Sequence, residues 1–130
     1  MIVPHDEFVR IARSLIYKDQ PLANLDERTY RAHFKLSPFA TSRLWRRLVQ
    51  HNTGKVYVHE DTEYRFEYFQ PCHLLWLLHY TKTYVSEDVA ARFCCVSNKT
   101  HRKYVWAMFE FLNNLGRELV STSTIHYNFY

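Results

Sequence analysis

"SEDVAARFCCVSNKTHRKYVW", residues 86–106, holds two serines that can each start a helix, the first followed by acids and the second by bases. Glu87 and Asp88 sit in the first turn after Ser86, where carboxylates suit the positive end of the helix dipole. Ser97 caps a second helix that can run to about Leu115, where Gly116 is expected to stop it. Between the two, Cys94 and Val96 flank a turn as buried residues, and small Ala91 stands where the helices cross. Cys95 falls where such turns often use glycine to adopt a left-handed conformation, so a cysteine there is disfavoured. A short helix, a tight turn and a longer helix, preceded by a strongly apolar one, are the parts of a helix-turn-helix.

Placed about 100° apart around an axis, the residues after Ser97 separate into two faces. His101, Tyr104, Val105, Met108, Phe111, Leu112 and Leu115 gather on one arc, which is expected to face the core. Asn98, Lys99, Arg102 and Lys103 occupy the other side, in the first two turns only, and Glu110 follows where it would repel phosphate. A basic face confined to the N-terminal turns is the polarity of a recognition helix, whose start enters the major groove while its end belongs to the core. Trp106 lies amid the polar side and is read as a brace that packs on the N-terminal half.

Upstream, "PCHLLWLLHYTKTY" (71–84) is apolar almost all round, so its helix should be central to the core, with His73 and His79 as surface residues and His101 core or partly buried. Near the N-terminus Asp6 is read as the cap of a helix whose Phe8, Ile11, Ala12, Leu15 and Ile16 repeat at helical spacing, with Pro21 beyond its end. A short helix follows over Asp26 to Phe34, presenting Tyr30 and Phe34. Ser37-Pro38 then opens "SPFATSRLWRRLVQH", whose apolar stripe is read as Leu44 and Leu48 with Trp45 beside them. Arg43, Arg46 and Arg47 lie off that stripe, and no acid interrupts the chain from Arg28 to Arg47. "NTGKVYVHEDTEYRFEYFQP" (52–71) breaks the helical pattern and partly alternates, as an extended loop or a small hairpin would. The fold class expected is all-α, with room for a short hairpin between its halves: a helical N-terminal subdomain over 1–70 with an extended loop at 52–70, a trihelical helix-turn-helix over 71–116, and a tail over 117–130 whose "STSTIHYNFY" (121–130) has no helical pattern and reads as extended or loose.

Composition narrows the function classes. With 47% hydrophobic residues and only two glycines and four prolines, the 130-residue chain is globular and not disordered. No apolar run reaches the length of a membrane span, and "MIVPHDEFVR" has no signal-peptide design, so no membrane role is expected. Three cysteines, two of them adjacent, make no disulfide framework and favour a reducing intracellular compartment. No Cys or His pair has the spacing of a structural zinc site, so neither a metal nor another cofactor is expected. No nucleophile has a base in a recognisable pattern and no glycine loop cradles phosphate, so the chain is not read as an enzyme. The net charge of +4 permits a polyanionic partner.

The segment "PCHLLWLLHYTKTYVSEDVAARFCCVSNKTHRKYVWAMFEFL" (71–112) resembles the N-terminal helix-turn-helix region of Harbinger-type DDE transposases, in which an apolar helix, an acid-capped short helix and a "KTxRKWVW"-like recognition helix follow in this order. "YRAHFKLSPFATSRLWRRL" (30–48) resembles the segment that precedes that motif in the family, and together the two cover most of residues 28–115. His101 and Tyr104 depart from the larger or more apolar aromatics usual there, and Cys95 replaces a glycine. The resemblance implies that Lys99, Thr100, Arg102 and Lys103 lie on a DNA-facing helix, with Val105 and Trp106 in its packing segment. The family's catalytic domain, with its three metal-binding carboxylates, comes after this region and does not fit in the 130 residues. The expectation is therefore double-stranded DNA binding, sequence-specific or structure-tolerant, by a transposase fragment or a domesticated relative in the nucleus, without strand cleavage.

In that reading Asn98, Lys99, Arg102 and Lys103 enter the major groove, while Arg43, Arg46, Arg47 and backbone amides near the Ser97 cap hold phosphates. Asn98 and Arg102 are the candidates for base edges, because amide and guanidinium groups can bond them bidentately. The rival is a protein-interaction module derived from a mobile element, whose tyrosines and phenylalanines meet a catalytic transposase subunit or another protein.

Overall fold

The computed structural model describes residues 3–20 and 23–127, with side chains through Arg117. Along the chain run α1 (His5–Ile16), α2 (Glu27–Phe34), α3 (Pro38–Asn52), a hairpin of β1 (Val56–His59) and β2 (Thr62–Arg65), a 3-10 turn (Phe66–Tyr68), α4 (Pro71–Thr83), α5 (Glu87–Phe93) and α6 (Asn98–Tyr127). The protein is predominantly helical. The hairpin means that it is not strictly all-α, and it supplies a wall beside the basic helix.

Four of the helix starts are fixed by side-chain caps that the local sequence dictates. Asp26 accepts from Thr29 N at 2.7 Å, Ser37 from Ala40 N at 3.1 Å, Ser86 from Val89 N at 3.3 Å and Ser97 from Thr100 N at 3.2 Å. Such caps stabilise a helix by about 1 kcal/mol each. The expected cap at Asp6 is a correction: the N-cap is Pro4, whose side chain accepts nothing, and Asp6 lies inside the first turn beside Glu7. There its charge still suits the helix dipole.

Helix α4 forms the hub, packing against α1, α2, α5 and α6. Seven consecutive residues from His73 to His79 are buried, so every face of the helix meets another element. His73 and His79 are therefore not surface residues, as their polarity suggested, but lie in aromatic company. His73 stacks on Tyr104 at 4.2 Å between centroids and accepts a hydrogen bond from Gln70 N at 2.9 Å. His79 stacks on Phe93 at 3.8 Å. Desolvation pushes both imidazoles down to about 4, with the charges of His33, His101 and Lys18 adding to the effect at His79. His101 is buried as expected, and desolvation lowers it too.

In α3 the buried side is Thr41, Trp45, Leu48 and Asn52, while Leu44 is only partly buried, which rotates the expected stripe toward Trp45. Tyr30 Oη donates to Thr41 Oγ1 at 3.0 Å inside the core and joins α2 to α3. Asn52 Nδ2 reaches Leu48 O at 3.0 Å and Phe111 O at 3.4 Å, which pins the end of α3 to α6. The buried side chains of the two halves thus belong to one core.

Two expectations about the C-terminal end are corrected. Helix α6 continues through Gly116 to Tyr127, so that glycine is no terminator and residues 117–127 of the expected tail are helical; 128–130 lie outside the described residues. A glycine ends a helix when it turns into the left-handed region, and Gly116 does not have positive φ. Left inside a helix it costs about 1 kcal/mol relative to alanine without breaking the hydrogen-bond ladder.

Candidate nucleic-acid interface

The connection from α5 to α6 is a Schellman motif. Val96 N donates to Ala91 O at 3.0 Å and Cys95 N to Arg92 O at 3.1 Å, the paired bonds that close a helix on a left-handed residue. Cys95 is that residue, with φ of 60°. The turn places Ser97 so that α6 starts immediately, and Ala90 and Ala91 are small enough to be fully covered at the crossing. Cys94 is buried and its thiol is pushed up to about 12 by desolvation, whereas Cys95 is exposed. The pair is a turn, and the two sulfurs face different surroundings.

On α6 the two faces divide as their spacing predicts. His101, Val105, Met108, Phe111 and Leu115 are buried, with Tyr104 and Leu112 partly so. Asn98, Lys99, Arg102 and Lys103 are exposed. Thr100 is half-buried, and its hydroxyl accepts from Ser97 Oγ at 3.0 Å, which ties it to the cap. Two of the basic-face side chains are held by the acids of α5. Arg102 donates from Nε at 3.2 Å and Nη2 at 2.7 Å to Glu87 Oε2, which holds the Glu87 carboxyl below the usual carboxylate range. Asn98 Nδ2 donates to Asp88 Oδ1. The acidic run after Ser86 thus serves the α5 dipole and orients the side chains best suited to base edges. Among the described residues, no carboxylate lies within ion-pair distance of Lys99 or Lys103.

The expected brace at Trp106 is corrected by the structure. Its ring is 52% exposed, on the same side as Lys99, Arg102 and Lys103, and touches Phe109 edge-on at 5.8 Å. The hairpin explains this. Its register pairs Tyr57 with Tyr64 and His59 with Thr62, so these residues share one face, and that face turns toward α6. Tyr57 and Tyr64 stack at 6.0 Å, and Lys103 Nζ lies 5.9 Å from the Tyr64 ring centre and 5.6 Å from that of Tyr104. Between hairpin and helix opens a cleft of about 540 Å³, lined by Tyr57, Tyr64 and Trp106 together with Lys99, Arg102 and Lys103. Glu60, at the hairpin tip, is the one carboxylate on its wall.

No family model matches the chain, and neither a curated protein nor a solved structure does. The site therefore stands on its own geometry. Arg43, Arg46 and Arg47 are exposed on α3, as expected from their place off the stripe, but none of them lines the cleft. The sequence reading missed Tyr57, Tyr64 and the true aspect of Trp106. The period-two spacing of aromatic rings in "VYVHEDTEYRF" carried the signal for the first two. Among the described residues no three His, Cys, Asp or Glu side chains cluster as metal ligands would, and no helix is long and apolar enough to cross a membrane.

Proposed function

We propose that the protein binds double-stranded DNA through the N-terminal turns of α6, without catalysing a reaction on it. The observation that carries this reading is the α5–turn–α6 unit. A Schellman turn delivers a serine-capped helix whose first two turns expose Asn98, Lys99, Arg102 and Lys103 while the opposite arc is locked in the core. Lys99 and Lys103 contribute phosphate attraction, and Arg102 and Asn98 base-edge contacts once they exchange Glu87 and Asp88 for DNA. Ser97, Thr100 and the amides beside them offer a positive helix terminus to a phosphate, and Arg43, Arg46 and Arg47 act as an auxiliary basic surface for the flanking backbone. On the resemblance to Harbinger-type transposases, the protein is a transposase-derived DNA-binding domain acting in the nucleus.

Salt dependence tests the reading: contact with about six phosphates gives a slope near −5 for log affinity against log salt on duplex DNA. Arg102→Ala with Lys103→Ala should abolish duplex binding while the circular dichroism spectrum stays that of the wild type. Absence of binding to any duplex at low salt, random sequence included, would refute it. A protein-interaction role is favoured by a different surface, the outer face of the hairpin, where Val56 and Val58 stand exposed. Capture of a protein partner that Val58→Asp disrupts, with no affinity for duplex, would decide for that role.

A further inference from the structure

We infer that the cleft between the hairpin and α6 is a binding site for an unpaired nucleotide of a single-stranded nucleic acid, distinct from the groove-reading role of the same helix. Tyr57, Tyr64 and Trp106 offer ring surfaces to the opening, and Lys99, Arg102 and Lys103 stand beside them. A paired duplex hides its base faces in its own stack and presents phosphates and base edges, so exposed rings gain little from it. An unpaired base offers two faces, and rings interleaved with cations are the arrangement that holds single strands: the base stacks and the adjoining phosphates meet the charges.

The cleft fits that ligand in size and charge. At about 540 Å³ it lies within the range of small-ligand sites, large enough for a base with its sugar and phosphate. Three cations face a single carboxylate on its wall, and Arg102 already spends part of its charge on Glu87, which leaves Lys99 and Lys103 as the free phosphate partners. Of the three rings that line the cleft, Tyr57 and Tyr64 pack partly against the core, and Trp106 is the exposed one. The hairpin that forms the opposite wall is held to α6 by the partly buried Tyr57 and Tyr64, so the cleft exists before any ligand arrives.

The three tryptophans make the test direct. Trp45 is 5% and Trp76 8% exposed, against 52% for Trp106, so a ligand that quenches intrinsic fluorescence by stacking reports on Trp106. The full chain is titrated at low salt with oligothymidylate and oligouridylate of about eight nucleotides, the two arms separating DNA from RNA, and with a blunt duplex. Both oligomers, or one of them, should quench the fluorescence. Trp106→Phe should remove the quenching yet keep affinity, read by anisotropy of a labelled oligomer, within a few fold. Trp106→Ala should weaken oligomer binding about tenfold or more and leave duplex binding within twofold. Trp106 is exposed, so the variant's folding is not in question, and an unchanged melting temperature checks it. The inference is overturned if neither oligomer binds, if Trp106→Ala binds them as the wild type does, or if it weakens duplex and oligomer alike. Oligomer quenching without duplex binding would instead refute the proposed function and leave this site standing.

Discussion

Acidification from about pH 7 to pH 5 should destabilise the fold chiefly through two imidazoles, His73 and His79, with buried His101 acting in the same direction, before the carboxylates respond. Burial pushes both down to about 4 from an ordinary 6.5. Because the folded value lies below the unfolded one, the unfolded chain binds more protons between the two, and stability falls as pH drops through that window. With those two values, each histidine removes about 2 kcal/mol by pH 5, or about 4 kcal/mol together as an upper bound. That is a large share of the roughly 5–15 kcal/mol by which domains are stable. Protonation also places a new charge at His79 near Lys18, His33 and His101, and takes from His73 the lone pair that accepts the Gln70 amide. The hydrogen-bonded carboxylates of Glu7, Asp26, Glu67 and Glu87 are held low, so their contribution is lost only at more acid pH. Urea unfolding at several pH values between about 7 and 5, followed by circular dichroism, measures the slope. His79→Phe, which keeps a ring against Phe93, should remove about half of it. A stability that changes by less than about 1 kcal/mol over this range, or the full change persisting in the His79→Phe and His73→Phe variants, would refute the reasoning.

Two further outcomes follow from the α5–α6 turn. Cys95→Gly should raise stability by about 0.5–1 kcal/mol, because glycine holds positive φ without strain, and chemical denaturation will read the gain. Glu87→Gln releases Arg102 from its carboxylate and removes a negative charge beside the basic face. Duplex affinity should therefore rise a few fold at low salt, by fluorescence anisotropy, with the gain vanishing at high salt.

Much of the helical framework was legible because its determinants are local. Asp26, Ser37, Ser86 and Ser97 act on amides three residues away, and the inward arc of α6 follows from spacing alone. The misreadings share a different origin. His73 and His79 look like surface residues on a lone helix, and only the elements packed around all of α4 make them core. The hairpin could be read only as an alternative to an extended loop, because its turn uses Glu60 and Asp61, at φ of 50° and 64°, in place of the asparagine and glycine that normally advertise such a turn. Spacing within α6 did put Trp106 on the polar side; reading it as a brace set that aside, and the hairpin rings that face it across the cleft follow only from where the hairpin lies. The exposed basic face was legible; the aromatic cleft beside it needed the tertiary fold.

A helix enclosed on every side belongs to no half of a molecule. The N-terminal helices α1 and α2 cover α4 as fully as α6 does, so the α4–α6 segment cannot be excised at residue 71 as a self-standing piece. Such a fragment would show solvent the side of α4 that α1 and α2 cover, where His79 meets Phe34, and would self-associate. The first half of the chain is in that sense the solubility partner of the second, and deletion mapping of function by halves would report loss of folding as loss of binding.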